Sequence, residues 1–208
     1  MRHGLFIGGF LVSIAMMAMI GIYVLHTNQR IITTFAEKED HFTTVIMAAT
    51  EVSSFAKRAE GHLLLYLLLQ RADDKEKFPM RVESLFEQMA ILDQSLENPE
   101  ARAILDKIKI NAGDILSDGN TLLENHDQAM VESDEFVIER YKEEVFTIHE
   151  KLSEIRALGV ELVTVEVQLE NNIEIMISKN ASRLRFYLSV LITLFLGFTL
   201  YLGWRIQI

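Results

Sequence analysis

The sequence contains no cysteine and only two prolines among its 208 residues. Without cysteine the chain cannot form disulfides, thiolate metal sites, an attached c-type haem or a thiol nucleophile. Because the prolines are confined to positions 79 and 99, long stretches carry no residue that interrupts a helix. Apolar residues recur at helical spacing along almost the whole chain, which leaves little room for strands. The sequence therefore predicts an all-α protein.

Basic side chains are scarce in the polar middle of the chain. Residues 26–185 hold 18 Lys and Arg against 30 Asp and Glu, a net charge of −12. Such a surface repels phosphate backbones, so no nucleic acid is expected as a partner. No basic cluster near either end is large enough for a lipid-headgroup patch.

Two apolar runs lack any charged residue, Leu5–Leu25 and Phe186–Trp204. They hold 21 and 19 residues, and a helix of about 20 residues spans the roughly 30 Å of a bilayer core. The first run exceeds the usual length of a signal-peptide core and lacks a small-x-small cleavage site. This favours a retained membrane helix over a cleaved signal peptide. Two transmembrane helices and contact with a lipid bilayer are therefore predicted.

These spans divide the chain into five expected segments. In order they are an N-terminal tail 1–4, span 5–25, a helical domain 26–185, span 186–204 and the start of a linker at 205–208. Arg2 and Arg205 favour cytoplasmic termini, whereas Arg183 and Arg185 favour the reverse orientation. We expect both termini to be cytoplasmic, with the helical domain in the periplasm or outside the cell.

The domain between the spans reads as four helices joined by short turns. In chain order we expect a helix from the first span to about Arg71, a turn at Ala72–Asp74, a helix Lys75–Leu96, a helix from Pro99 to about Gln128, and a helix from Ser133 into the second span. Pro79 is placed in an opening turn, and Asn98 and Ser133 are expected N-caps. The architecture is an up-down-up-down four-helix bundle whose first and last helices continue into the membrane.

Helix lengths and one apolar run predict a homodimer. Outside the spans the outer helices are roughly 70–80 Å long and the middle pair roughly 33–45 Å, so the membrane-proximal half would hold only two helices per chain. The run Leu63–Leu69 is apolar on every face of its helix. Its expected subunit contacts are Leu63, Leu64, Leu67 and Leu68. The alternative is a thick core beneath the other helices of the same chain.

Nothing in the sequence indicates catalysis or a cofactor. No Gly-rich phosphate loop, nucleophile elbow or HExxH motif occurs. The six histidines are His3, His26, His41, His62, His126 and His149. None of them pair at i, i+4 spacing, so solvated histidines are favoured over a metal site. His149-Glu150 superficially resembles a kinase phospho-acceptor site, but no proline follows and it lies in the middle of the bundle.

One cluster of charged residues predicts a ligand site. Lys57 and Arg58 lie on the first helix and are followed by His62. A cationic site of this kind beside a subunit contact is suited to a carboxylate or another small anion. The alternative is an ordinary charged helix face.

The layout resembles the four-helix-bundle sensor region of bacterial chemoreceptors and membrane-bound sensor histidine kinases. The resemblance covers the whole chain, and residues 52–70, VSSFAKRAEGHLLLYLLLQ, and 74–94, DKEKFPMRVESLFEQMAILDQ, also look like this group. It implies a two-pass protein of the bacterial inner membrane. It also implies a HAMP-type linker followed by a kinase or chemotaxis output module. Because the sequence ends at Ile208, the chain is expected to be truncated or split from that module, in which any kinase activity would lie.

The expected function is therefore detection of an extracytoplasmic small molecule or partner and transmission of the signal through helix movement. Gly159, midway along the last helix, is a candidate soft point for that movement. Two alternatives are a membrane-tethered scaffold without a ligand and an accessory subunit that binds another receptor. An enzyme of unrecognised type is the least favoured interpretation.

Overall fold

The structure is a computed structural model that describes the backbone of residues 2–132 and 135–207. Side chains are described over 14–128 and 141–204, apart from residues 16, 34, 35, 37, 202 and 203. The helices are α1 (Arg2–Leu69), α2 (Ala72–Ser95), α3 (Pro99–Ala112), α4 (Ile115–Glu132) and α5 (Glu135–Gln207). No strand occurs within the described backbone, which confirms the predicted all-α class.

The first turn lies two residues earlier than the sequence indicated. α1 ends at Leu69, and Gln70 adopts a left-handed conformation with φ of 53°. The Gln70 N–H donates to the Tyr66 carbonyl at 2.7 Å, which closes the last turn of α1. Residues Ala72–Asp74, predicted as the turn, instead form the first turn of α2, where Asp73 and Asp74 face the positive end of the helix dipole.

Pro79 is inside α2 and not in its opening turn, because the helix begins at Ala72. The proline leaves the carbonyl one turn before it without the usual amide donor. The apolar stripe of α2 nevertheless continues past it, with Phe78, Val82 and Leu85 all buried. The interruption is therefore accommodated by packing against the other helices.

The second turn matches the prediction closely. The Glu100 N–H donates to Asn98 Oδ1 at 3.0 Å, and Pro99 occupies the first position of α3. The predicted single third helix is wrong, because Gly113 and its neighbour separate α3 from α4. Glycine costs about 1 kcal/mol in a helix interior relative to alanine, which explains why the break falls there. The predicted N-cap Ser133 lies outside the described residues.

The chain divides into two compact units. The central unit is Asp40–Glu170, and the terminal unit combines Met1–Glu39 with Asn171–Ile208. Within the central unit, one apolar stripe of α1, spaced at steps of three and four residues, forms a buried seam. Its members are Phe42, Val45, Ala49, Val52, Ala56, Ala59, Leu63 and Tyr66.

Polar contacts in the central unit pair neighbouring helices in opposite directions. α1 contacts α2 through His62 and Asp74, and α2 contacts α3 through Asp93 and Lys109. α4 contacts α5 through Asp118 and Lys151 and through Asn125 and Glu144. On the α4–α5 pair the residue number rises along α4 from Asp118 to Asn125 as it falls along α5 from Lys151 to Glu144, as antiparallel neighbours require.

The terminal unit carries apolar side chains that the chain itself does not cover. α5 over Tyr141–Tyr201 contains a run long and apolar enough to cross a membrane, and none of that run is buried. Leu194 and Leu200 are 68% and 73% exposed, for example. This run coincides with the second predicted span. The backbone of the first predicted span lies within α1, but the side chains of residues 1–13 lie outside the described residues.

Candidate functional site: a groove between α1 and α5

The structure does not gather the three predicted ligand residues into one site. Lys57 is exposed and lines a groove of about 440 Å³ between α1 and α5 of the central unit. The Arg58 guanidinium instead lies over the Phe55 ring, 5.4 Å from its centroid. His62 contacts buried Asp74 through Nδ1 at 2.8 Å. Only Lys57 of the three therefore belongs to the groove.

The groove is built from one face of each helix. α1 supplies two serines, a threonine and a lysine, and α5 supplies an arginine, a glycine and two valines. The lining residues are Thr50, Ser53, Ser54, Lys57, Arg156, Gly159, Val160 and Val163. Because the helices are antiparallel, Lys57 and Arg156 lie toward one end and the valines toward the other. The groove thus has a cationic end and an apolar end.

Gly159 sets the spacing of the two helices. A Cβ placed on Gly159 would meet the Ser53 Cβ at 3.1 Å and the Ala49 carbonyl oxygen at 3.3 Å. The Ser53 hydroxyl donates to the Arg156 carbonyl at 3.0 Å, a contact between residues 103 positions apart. Gly159 was predicted to be a soft point in α5. The structure shows a close approach of α1 at this glycine, and the soft point itself stays a prediction.

Glu60 holds Arg156 only loosely. The Glu60 carboxylate is 2.6 Å from His149 Nδ1 but 3.5 Å from Arg156 Nη1. A second Arg156 nitrogen lies 3.4 Å from the Ser153 hydroxyl, also near the limit of a hydrogen bond. A guanidinium has five N–H donors, so Arg156 keeps donors for a further acceptor.

Lys57 differs from three other lysines of the central unit. Lys75, Lys109 and Lys151 each contact an aspartate at 2.5–2.8 Å. Lys57 has no carboxylate partner within the part of the chain that the structure describes. In a chain of net charge −10, an ammonium group beside a loosely held guanidinium forms a local positive site.

A second group of polar side chains lies near the first turn and was not found from the sequence. The Tyr66 hydroxyl and Lys75 both donate to the Asp127 carboxylate. The Lys75 hydrogen bond, followed by that of Tyr66, lowers the pKa of Asp127. Burial, reinforced by Asp127, raises the pKa of Tyr66. These contacts join α1, α2 and α4, so they fix the ends of three helices.

His126 and Tyr141 complete that group of polar side chains. The His126 ring is 6% exposed and lies between Tyr66 and Tyr141, with centroids 5.4 and 5.3 Å away. Burial raises the pKa of the Tyr141 hydroxyl, which keeps it neutral. No group of three or more His, Asp or Glu with a geometry suited to a metal ion occurs among the described side chains.

Glu166 is a buried carboxyl group on α5. It is 2% exposed, and burial raises its pKa, whereas His41 and a hydrogen bond with Asn98 act in the opposite sense. Its Oε1 atom has no hydrogen-bond partner among the described atoms. Burial therefore disfavours the charged form of Glu166 relative to that of an exposed glutamate.

The residues predicted to form a subunit contact are divided between core and surface. Leu63 is 2% exposed and belongs to the core, whereas Leu68 is 76% exposed. Leu64 and Leu67 are half-buried and line, with Leu68, a second groove of about 440 Å³. Phe146 of α5, which was not predicted, lines the same groove and is 64% exposed. Leu63 therefore contacts its own chain, and the other three are accessible.

Comparison with known proteins identifies no relative. No protein-family model, curated protein or solved structure matches the chain.

Proposed function

We propose that this chain is the sensor region of a two-pass membrane receptor, in which the central unit detects an extracytoplasmic signal. In this proposal the central unit is an up-down-up-down four-helix bundle in the periplasm or outside the cell. Residues 5–25 and 186–204 cross the bacterial inner membrane, and both termini are cytoplasmic. The chain has no catalytic role, and output belongs to a separate cytoplasmic signalling module or partner receptor.

The proposal rests on a change in side-chain burial along α5. Its central part contributes core residues such as Leu152, Ile155 and Leu162, all nearly fully buried. Its last part is a charge-free run in which Phe186 and Leu194 are more than three-fifths exposed. A run of that length and composition is stable against lipid and costly against water. A single helix that meets both environments is suited to carry a rigid-body movement from one to the other.

Membrane orientation can be tested on a background free of native thiols, because the chain has no cysteine. We expect an Arg71→Cys variant, whose reporter lies in the exposed first turn, to react with a membrane-impermeant maleimide in intact cells. A Gln207→Cys variant should react only after the cells are opened. Equal reactivity of both variants in intact cells would rule out the two-pass topology.

Signalling itself can be tested by fusion. The full chain joined to a chemoreceptor or histidine-kinase output module should change that output when candidate small molecules are added. A matched fusion with Leu152→Ala, which removes a buried core side chain, should lose the response while remaining in the membrane. Output that is indifferent to every compound and to this core change would contradict the sensor proposal.

A second candidate function rests on the exposed groove lined by Leu68 and Phe146. An apolar surface of this kind is suited either to a second copy of the chain or to another receptor. Leu68→Cys should give a disulfide-linked homodimer under mild oxidation if the copies meet there. If the cross-linked product instead contains a different membrane protein, the chain is an accessory subunit. If no cross-link forms, the chain behaves as a monomeric membrane-tethered scaffold on this face.

A further inference from the structure

We propose that the groove between α1 and α5 binds a small organic carboxylate, with Lys57 and Arg156 holding the carboxylate group. The inference corrects the residue set that the sequence alone indicated. It retains Lys57, replaces Arg58 and His62 with Arg156, and adds the Ser54 hydroxyl. The other two hydroxyl groups of the groove already donate to backbone carbonyls, Thr50 to Ile46 and Ser53 to Arg156. The proposal concerns binding and does not itself require that binding be signalled.

Charge is the first argument. Lys57 and Arg156 are the two charged side chains among the described residues that line the groove, and both are cationic. The nearest carboxylate to Arg156, that of Glu60, makes its short contact with His149 instead. An anion placed between the two cations would accept charge-assisted hydrogen bonds from both.

The shape of the groove is the second argument. Gly159 and Ser53 bring the helices together at the floor of the groove, so a ligand would lie over this close contact with one helix on each side. A volume of about 440 Å³ lies within the roughly 300–1,000 Å³ of small-molecule sites. A lone inorganic ion would fill little of it.

The apolar end of the groove selects the chemical class. Val160 is 57% exposed and lines the groove with Val163, away from the cationic end. An alkyl or aromatic group attached to a carboxylate would cover these side chains, and each buried CH₂ contributes about 0.8 kcal/mol of transfer free energy. An inorganic phosphate or chloride ion has no group that can make this contact.

Binding would also act on the contact that sets the spacing of α1 and α5. Arg156 and Gly159 lie on the same face of α5 as the Ser53 hydroxyl bond. A carboxylate bound to Arg156 on one helix and Lys57 on the other favours whichever helix spacing gives it both contacts. This step rests on the proposed sensor function, in which α1 and α5 carry the signal.

The test uses the full chain in lipid nanodiscs and 4-fluorobenzoate as the probe, followed by fluorine NMR with empty nanodiscs as the blank. We expect saturable binding that Lys57→Gln weakens by about tenfold or more, the usual loss for a charge-assisted hydrogen bond. Arg156→Gln should weaken it as much. Arg58→Gln is the matched control, since it makes the same charge change one residue away but outside the groove, and it should alter the affinity less than about twofold.

Two further measurements define the ligand class. Val160→Thr keeps the shape of the side chain and should weaken fluorobenzoate binding while leaving acetate binding unchanged. Inorganic phosphate at equal ionic strength should displace the probe poorly. Displacement by phosphate as effective as that by benzoate would overturn the organic carboxylate in favour of a general anion site.

The remaining outcomes also decide the proposal. Absence of saturable binding overturns it, and so does an equal loss in Arg58→Gln and Lys57→Gln, which would mean a nonspecific charge effect. If Lys57→Gln changes the fraction of homodimer and the probe does not bind, the groove is a subunit contact. If the groove binds the probe but the fusion protein does not respond, only the sensor function is contradicted. If the fusion protein responds and Lys57→Gln leaves that response intact, only the proposed carboxylate site is contradicted.

Discussion

The central and terminal units use the same kind of sequence, long helices rich in apolar residues, with opposite results. In the central unit, the apolar stripe of α1 is buried against neighbouring helices, and Val52 and Ala56 have no exposed surface. In the terminal unit, Phe186, Leu194 and Leu200 are all more than three-fifths exposed. An apolar side chain on a helix is therefore buried only where other helices pack against it.

The two units also differ in the pattern of their apolar residues. The core stripes of the central unit alternate steps of three and four residues, with charged side chains between them. The run 186–204 is apolar on every face and has no polar side to present to water. Stability of the central unit should therefore depend on internal packing, whereas the terminal unit should depend on its surroundings.

The largest expected effect comes from deleting a core leucine. Leu152 is 1% exposed, and Leu→Ala at such a site typically costs about 2–5 kcal/mol because a cavity remains. Leu194→Ala is the matched change in the terminal unit, where the side chain is 68% exposed. Chemical denaturation of the two variants in detergent should give a large loss for Leu152→Ala and less than about 0.5 kcal/mol for Leu194→Ala. Equal losses would remove the distinction between the units.

Glycine provides a second matched pair. A Cβ at Gly119 would lie 2.3 Å from two atoms of the Phe78 ring, which is itself fully buried. Gly119→Ala should therefore destabilise the central unit by about 1–3 kcal/mol through overpacking. Gly197→Ala meets nothing within 4 Å and should be neutral or slightly stabilising. If Gly119→Ala is as stable as the parent, the Phe78 ring can move aside. The melting temperature of the double variant Phe78→Leu/Gly119→Ala would then show whether the Phe78 ring is what the added methyl group meets.

Much of the fold could be predicted from the sequence because its signals are local and repeated. The seam of α1 follows from residue spacing, and the start of α3 follows from Asn98 and Pro99, which act within one turn. The first turn was misplaced because Gln70 takes a left-handed conformation without the glycine or asparagine that usually marks it. The single third helix was wrong because a lone glycine such as Gly113 costs a helix only about 1 kcal/mol, so the sequence alone does not say whether the helix ends there.

The candidate site could be predicted only in part. Lys57 was identified because it is a cation on a helix face, but its neighbour in the groove, Arg156, lies 99 positions away. No local pattern links the two. The same holds for Ser53 and the Arg156 carbonyl and for Tyr66 and Asp127, whose contacts depend on how distant helices pack. Helix existence is a property of nearby residues, whereas a site between helices depends on the register of the whole bundle.

The buried carboxyl group of Glu166 predicts a pH-dependent difference between buried and exposed positions of α5. Burial raises the pKa of Glu166 above its unfolded value, so its contribution to stability is fully present below the unfolded pKa and is lost as pH rises through the folded pKa. Glu166→Gln should remove this loss, which makes the variant more stable than the parent near pH 7 and similar to it at acid pH. The slope attributable to one proton is at most about 1.4 kcal/mol per pH unit. Glu174→Gln, an exposed position on α5, is the control and should leave the slope unchanged.

The smallest expected effect tests whether packing alone distinguishes positions within the central unit. Gly61 meets nothing within 4 Å, so Gly61→Ala should stabilise the chain by up to about 1 kcal/mol through helix propensity. Gly159→Ala gains the same propensity, but its Cβ would press on the Ala49 carbonyl and the Ser53 backbone nitrogen, both at 3.3 Å. These backbone atoms cannot move without the helix, so we expect a net loss of about 1 kcal/mol in denaturation. If both alanines stabilise the chain equally, α1 and α5 can separate freely, and Gly159 would be the soft point in α5 after all.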